Sequence, residues 1–222
     1  MTVPARGDDP PIPPAPPAGG MTRTPRPEPQ PGEPGEPAAW LAVIDMQRVF
    51  AEPGTDWFVP RFAQITGPVT DLVAAYRPRV TFTRFVAPAV PAGAWRRYYD
   101  QWPFALQPPD APIYDLAGAF AGQAGPTLDA TTFGKWGPEL AGRVGPDGRL
   151  VLAGVSTDCC VLSTAVAAAD AGASVSVVAD ACAGVTDESH EQTLAILRLY
   201  APLVEVIGLK QALAGAPRGD QA

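Results

Sequence analysis

The chain has no asparagine, one histidine, two lysines and three cysteines in 222 residues, and each scarcity removes a class of function. Without asparagine there is no Cys-His-Asn arrangement of the papain kind, and His190 alone cannot form a site that needs two histidines. Three cysteines, two of them adjacent, make a poor disulfide framework and suit a reducing compartment, so a cytoplasmic location is expected. One histidine and no Cys/His cluster leave no zinc-type ligand set, and no cofactor is expected. No stretch reaches the ~18 consecutive apolar residues of a membrane span, and no basic segment followed by an apolar run opens the chain. A net charge of −7 without any basic block argues against nucleic acid and against an anionic membrane surface.

Proline, by contrast, is abundant and unevenly placed: 13 of the 28 prolines lie in residues 1–37. A Pro-rich, polar stretch buries too little apolar surface to offset the entropy of ordering, so 1–37 is expected to be a disordered tail. A ligand for a proline-binding module is the alternative, through Pro10-Pro-Ile-Pro-Pro-Ala-Pro-Pro17. Met21 is an alternative start, which would remove half of that stretch. The last residues, 213–222, are read as a second disordered tail. The remaining 38–212, about 175 residues, suffice for one substantial core.

Apolar runs recur at Leu41–Ile44, Val80–Phe85, Leu150–Val155, Val175–Val178 and Leu203–Ile207, with helix-length segments between most of them. This βαβ rhythm predicts a single α/β domain, a three-layer α/β/α sandwich on a mostly parallel sheet. Helices are predicted over Pro60–Tyr76, Asp158–Ala171 with Gly172 as its stop, and Asp187–Tyr200 capped by Thr186 or Asp187. From Pro88 to Leu128 the pattern breaks into a long aromatic loop containing Trp95, Tyr98, Tyr99, Trp102 and Phe104, with one helical turn at most.

Two segments carry chemistry. In Leu150-Val-Leu-Ala-Gly-Val-Ser-Thr-Asp-Cys-Cys-Val-Leu-Ser-Thr-Ala165 an apolar strand meets a tight turn and delivers two thiols to the first turn of a helix. Unpaired amides and the positive end of the helix dipole there stabilise a thiolate, lowering it from the ordinary value of about 8.5. Packing as small apolar residues is the other reading of both cysteines. Trp40-Leu-Ala-Val-Ile-Asp-Met-Gln-Arg-Val-Phe50 is a second buried run ending in a carboxylate, and carboxyl ends of strands in open α/β sheets face the ligand crevice. Asp45 and the thiol pair are therefore expected to converge there; capping a helix or pairing with Arg48 are the alternatives for Asp45.

Together with Val177-Val-Ala-Asp-Ala-Cys182, these segments resemble the isochorismatase-like cysteine hydrolase superfamily over about residues 40–208, the middle third least. The resemblance implies a catalytic Asp45, a lysine and Cys160, the cysteine immediately before Val161, with Cys159 pointing elsewhere. It also implies a cis peptide between Val155 and Ser156, and an oxyanion hole formed by the amides of Ser156 and Cys160. The lysine departs from the pattern: counted back from Glu139-Leu140, the family's lysine falls nearer Asp129, whereas Lys135 comes several residues later. Lys135 is the candidate; a surface lysine on a Gly-flanked loop is the alternative, in which case Arg84 or the helix dipole supplies positive charge. The two-histidine metal site of the family's nicotinamidases cannot be built here. His190 and Cys182 are read as structural. Arg84, Trp95 and Trp136 are candidate substrate contacts.

The implied activity is metal-independent hydrolysis of a small amide, carbamoyl or ureido C–N bond through a thioester, in a homo-oligomer (dimer or tetramer). Vinyl-ether hydrolysis of an isochorismate-type substrate, and a catalytically silent binding protein on the same fold, are the rivals.

Overall fold

In the computed structural model, residues 38–122 and 127–217 are described. The predicted tail 1–37 and residues 218–222 lie outside the described residues. The apolar runs become strands β1 (Trp40–Ile44), β2 (Val80–Phe85), β4 (Arg149–Val155), β5 (Ser174–Ala183) and β6 (Val204–Ile207), joined by a short β3 (Leu128–Ala130). Around them lie α1 (Arg48–Ala51), α2 (Phe62–Tyr76), α3 (Trp95–Gln101), α4 (Pro138–Val144), α5 (Leu162–Asp170), α6 (Asp187–Arg198) and α7 (Leu209–Ala214).

The sheet runs β3-β2-β1-β4-β5-β6, with every neighbouring pair parallel. Strand order therefore reverses between β1 and β4, and a crevice opens at the carboxyl ends of these two strands. Asp45 follows β1 directly and Ser156 follows β4 directly, so the two chemistry-bearing segments flank that switch point.

Alternation along β1 separates the core into two faces. Leu41 and Val43 pack with α2 and α7 residues such as Leu72 and Ala212, whereas Ala42 and Ile44 pack with Ala165, Ala168 and Leu194 of α5 and α6. Alanines on α5 let it lie close to the sheet. One glycine is demanded by sheet geometry: Gly154 has φ 120° and pairs with Ile44, whose carbonyl oxygen would lie 2.1 Å from any Cβ placed there. Thr186 caps α6 through a reciprocal box with Ser189. No helix among the described residues is long and apolar enough to cross a membrane.

Several boundaries differ from the sequence reading. β3 has only three residues, with Leu128 buried, too short to leave a period-2 signature. β5 continues to Ala183 because an irregularity opposite Leu152 and Gly154 takes up extra residues; Asp180, within this stretch, accepts the Leu209 N–H at 2.7 Å at the start of α7. The aromatic loop holds α3 and three single 3₁₀ turns, more than the one turn expected. The helix expected from Asp158 begins as a π turn, Thr157–Val161, before α5 takes over. The domain does not end at 212: α7 runs to Ala214, and Leu213 and Ala216 pack against the core, because the apolar side of this helix is covered by α2.

Candidate active site

Asp45 is fully buried and has φ 48°, a left-handed turn that aspartate tolerates better than most residues. Its N–H donates to Thr83 Oγ1 at 3.2 Å, and the same hydroxyl donates to Asp45 Oδ1 at 2.6 Å. Two residues on, Gln47 is a buried junction: its side-chain amide donates to the carbonyls of Phe85 and Tyr114 at 3.0 and 2.9 Å and accepts the Phe85 N–H at 2.8 Å. β1 and β2 are thus locked together where they enter the crevice. Arg48 pairs with Glu52 at 2.6 Å, not with Asp45.

Lys135 Nζ lies 3.0 Å from Asp45 Oδ2, and neither side chain has any exposed surface. The ammonium donates to the Thr132 carbonyl at 2.9 Å and sits 5.1 Å above the Phe85 ring. Its approach to Oδ2 lacks the angle of a hydrogen bond, so among the described residues Oδ2 has no hydrogen-bond partner. The backbone N–H of Lys135 donates to Thr164 Oγ1 at 2.9 Å, and that hydroxyl donates to the Cys160 carbonyl at 2.7 Å. Thr164 therefore ties the lysine loop to the cysteine turn. Asp129, where the family's lysine was counted to fall, instead pairs with Arg84 on the neighbouring strand.

After β4 the chain passes through a cis Val155–Ser156 peptide into the π turn that carries both thiols. Asp158 steadies the turn by accepting the Val185 N–H at 3.1 Å, and Thr157 Oγ1 lies 2.9 Å from His190 Nδ1. The expectation of a depressed thiol at Cys160 is overturned. Its hydrogen bond to Cys159, its burial and the Asp45 carboxylate hold the Cys160 thiol well above the ordinary range, and Lys135 only partly opposes them. The half-exposed Cys159 shifts the other way, because that hydrogen bond favours its ionised form. Cys159 does not point elsewhere: both cysteines line one cavity, since the wider π turn spaces consecutive side chains differently from an α-helix. Cys182 is buried and in contact with the Leu152 carbonyl, and burial pushes its thiol up to about 12.

The cavity over the thiols has a volume of about 510 Å³. Ser156 and the two cysteines form its floor, and rings of Trp57, Phe85, Tyr98, Trp102 and Phe133 form its walls. Phe85 also underlies Lys135, and the charges of the buried pair act on the Cys160 thiol. A larger depression of about 640 Å³ near Arg48, Arg84 and Asp115 contains no thiol, and its size alone does not make it the site.

Three predicted substrate contacts are corrected. Arg84 alternates with Thr83 and Phe85 along β2 and so points away from the crevice, onto Asp129 at 2.8 and 2.5 Å. Trp95 packs behind the wall against Phe133, Tyr98 and Tyr99. Trp136 borders a separate depression beside Gly145 and Ala171. Tyr98, Trp102, Trp57 and Phe133 line the cavity instead, and Thr83, Gln47 and Thr164 were not anticipated. Thr164 left one usable signal, a threonine one helical turn after Cys160. Among the described residues no three His, Cys, Asp or Glu side chains group to hold a metal ion.

An open parallel sheet with paired Asp45 and Lys135 behind a thiol-floored cavity at its switch point defines a doubly wound α/β protein with an enzyme-like crevice. The model of the isochorismatase domain matches residues 39–211, and the chain belongs to this hydrolase family. Compared with curated proteins, the sequence matches none. Among solved structures, a cysteine hydrolase from Pseudomonas syringae pv. phaseolicola 1448A is similar at TM-score 0.69 and 20% identity, over 80% of this chain and 91% of that one. An isochorismatase family protein from Desulfovibrio vulgaris subsp. vulgaris str. Hildenborough is similar at TM-score 0.68 and 24% identity, over 78% and 95%. N-carbamoylsarcosine amidase from Thermoplasma acidophilum is similar at TM-score 0.62 and 19% identity, over 78% and 96%. At these identities the likeness is one of fold.

Proposed function

We propose that this protein is a metal-independent cysteine hydrolase cleaving the C–N bond of a small amide, carbamoyl or ureido compound through a thioester on Cys160. The observation that carries this reading is Asp45 Oδ2, buried, ion-paired with Lys135 and free of hydrogen bonds among the described residues, with its charge acting on the buried Cys160 thiol. A thiol raised by burial needs a base at the moment of attack, and Oδ2 has the capacity to be one.

In this mechanism the Cys160 S–H proton passes to Asp45 Oδ2 as sulfur bonds to the substrate carbonyl carbon. The amides of Ser156 and Cys160 receive the oxyanion. Collapse breaks the C–N bond, and the amine leaves with the proton held by Asp45. Water, deprotonated by Asp45, then attacks the thioester; the acid is released and the thiol regains its proton. Lys135 stays paired with Asp45 between steps.

The test is ammonia or amine release from a panel of small amides and ureas. Cys160→Ala abolishes turnover, while Cys159→Ala retains most of it. Activity that survives in Cys160→Ala and disappears in Cys159→Ala moves the nucleophile to Cys159. Turnover lost on chelation and restored by zinc overturns the metal-independent mechanism.

A further inference from the structure

Charge on the cavity wall restricts what can reach the thiols. Among the described residues, two in the lining are ionisable carboxylates, Asp56 at the exposed rim and Asp158 beside the cysteines, and none is Arg, Lys or His. Of the cations on neighbouring elements, Lys135 is paired with Asp45, Arg84 with Asp129, Arg48 with Glu52 and Arg61 with Asp187. Arg96 and Arg97 of α3 are exposed outside the lining, and His190 lies on the far side of the cysteine turn against Thr157. Because Asp45 and Lys135 cancel, Asp56 and Asp158 leave the cavity with a net negative field.

A carboxylate entering this space would lose water against aromatic rings and meet two like charges with no counter-ion. A flat neutral group would be matched by the rings of Trp57, Phe85 and Phe133, and an ammonium group would gain from the carboxylates and from ring faces. The volume, about 510 Å³, holds an aromatic amide with a substituent. We infer that the cavity selects flat, apolar amides that are neutral or cationic and rejects those bearing a carboxylate. The inference rests on the proposed role of Cys160 and adds the substrate class; isochorismate-type acids fall outside it.

Three methanethiosulfonates of one chemistry and different charge test this: the methyl, 2-(trimethylammonium)ethyl and 2-sulfonatoethyl reagents. Rates of modification at Cys160 in Cys159→Ala protein, mapped by mass and divided by the rates with 2-mercaptoethanol, report access to the cavity. The cationic reagent is expected to exceed the anionic one by roughly tenfold or more, the effect of two partly screened charges a few ångströms away. Asp56→Asn narrows the ratio, and adding Asp158→Asn brings it within about twofold, the asparagine still accepting the Val185 N–H. Asp56 is exposed, so its single variant remains readable if the double variant melts early. Equal normalised rates for anionic and cationic reagents on the Cys159→Ala protein overturn the substrate class and leave the nucleophile standing. No modification of Cys160 by any of the three, even at a pH high enough to ionise a raised thiol, overturns both.

Discussion

Replacing Lys135 by methionine keeps most of the apolar stem of the side chain and removes its charge. Asp45 then retains the Thr83 hydroxyl on Oδ1, but Oδ2 loses the ammonium 3.0 Å away, and the Thr132 carbonyl loses a donor. Breaking a fully buried pair by deleting one partner costs about 3–5 kcal/mol, because the remaining charge stays desolvated. For a domain of this size that lowers the melting temperature by roughly 6–20 °C. Asp45→Asn combined with Lys135→Met leaves no buried charge, so the double variant should be more stable than the sum of the singles predicts, with a coupling of about 2 kcal/mol or more. Calorimetric unfolding of the four proteins at pH 7.5 measures this cycle. The same variants act on the thiol with opposite signs. Lys135 lowers the Cys160 thiol and Asp45 raises it, so alkylation of Cys160 shifts to higher pH in Lys135→Met and to lower pH in Asp45→Asn. Hydrolysis nevertheless falls in Asp45→Asn, since the base is gone. Additive stabilities, or a single variant within about 1 kcal/mol of wild type, would refute the buried pair; an unmoved alkylation profile would refute its proximity to Cys160.

Gln47→Leu leaves the Phe85 N–H and the Phe85 and Tyr114 carbonyls without partners and should cost about 3 kcal/mol or more by denaturant titration. Gly154→Ala drives a methyl into the Ile44 carbonyl, so soluble yield and folded content by circular dichroism should collapse. Burial tends to raise the Asp129 carboxyl, but the Arg84 hydrogen bond outweighs it and holds Asp129 below the ordinary carboxylate range. That pairing contributes stability above the unfolded value of about 3.9 and loses it as pH falls through the lower folded value. Arg84→Met should therefore destabilise at neutral pH by less than about 1 kcal/mol, converge with wild type in strong acid, and turn over substrate at the wild-type rate; a large rise in KM would return Arg84 to the site.

Strand-end chemistry was legible in the amino-acid order itself. Buried runs ending in Asp45 and leading to Cys160 state their own position, because a parallel sheet makes its central strands continuously apolar and presents their carboxyl ends to one crevice. The capping of α6 and the small residues of α5 were local in the same sense. Lys135 was not: its segment, Thr131-Thr-Phe-Gly-Lys-Trp-Gly137, has no period to read, and counting residues pointed to Asp129. Its place depends on Thr164, 29 positions later, and on Phe85 and Asp45 on other strands. Arg84 was misread because neighbouring residues of β2 face opposite ways, and only the paired sheet shows that Thr83 and Phe85 took the crevice side. Thiol ionisation likewise turned on burial and on charges brought from distant segments. Local order, then, determined the fold class and the two strand-end residues, since hydrophobic periodicity and strand termini are short-range properties. Convergence of Asp45, Lys135 and Cys160, the aromatic walls and the charge of the cavity were decided by contacts between segments tens of residues apart, which no local pattern encodes.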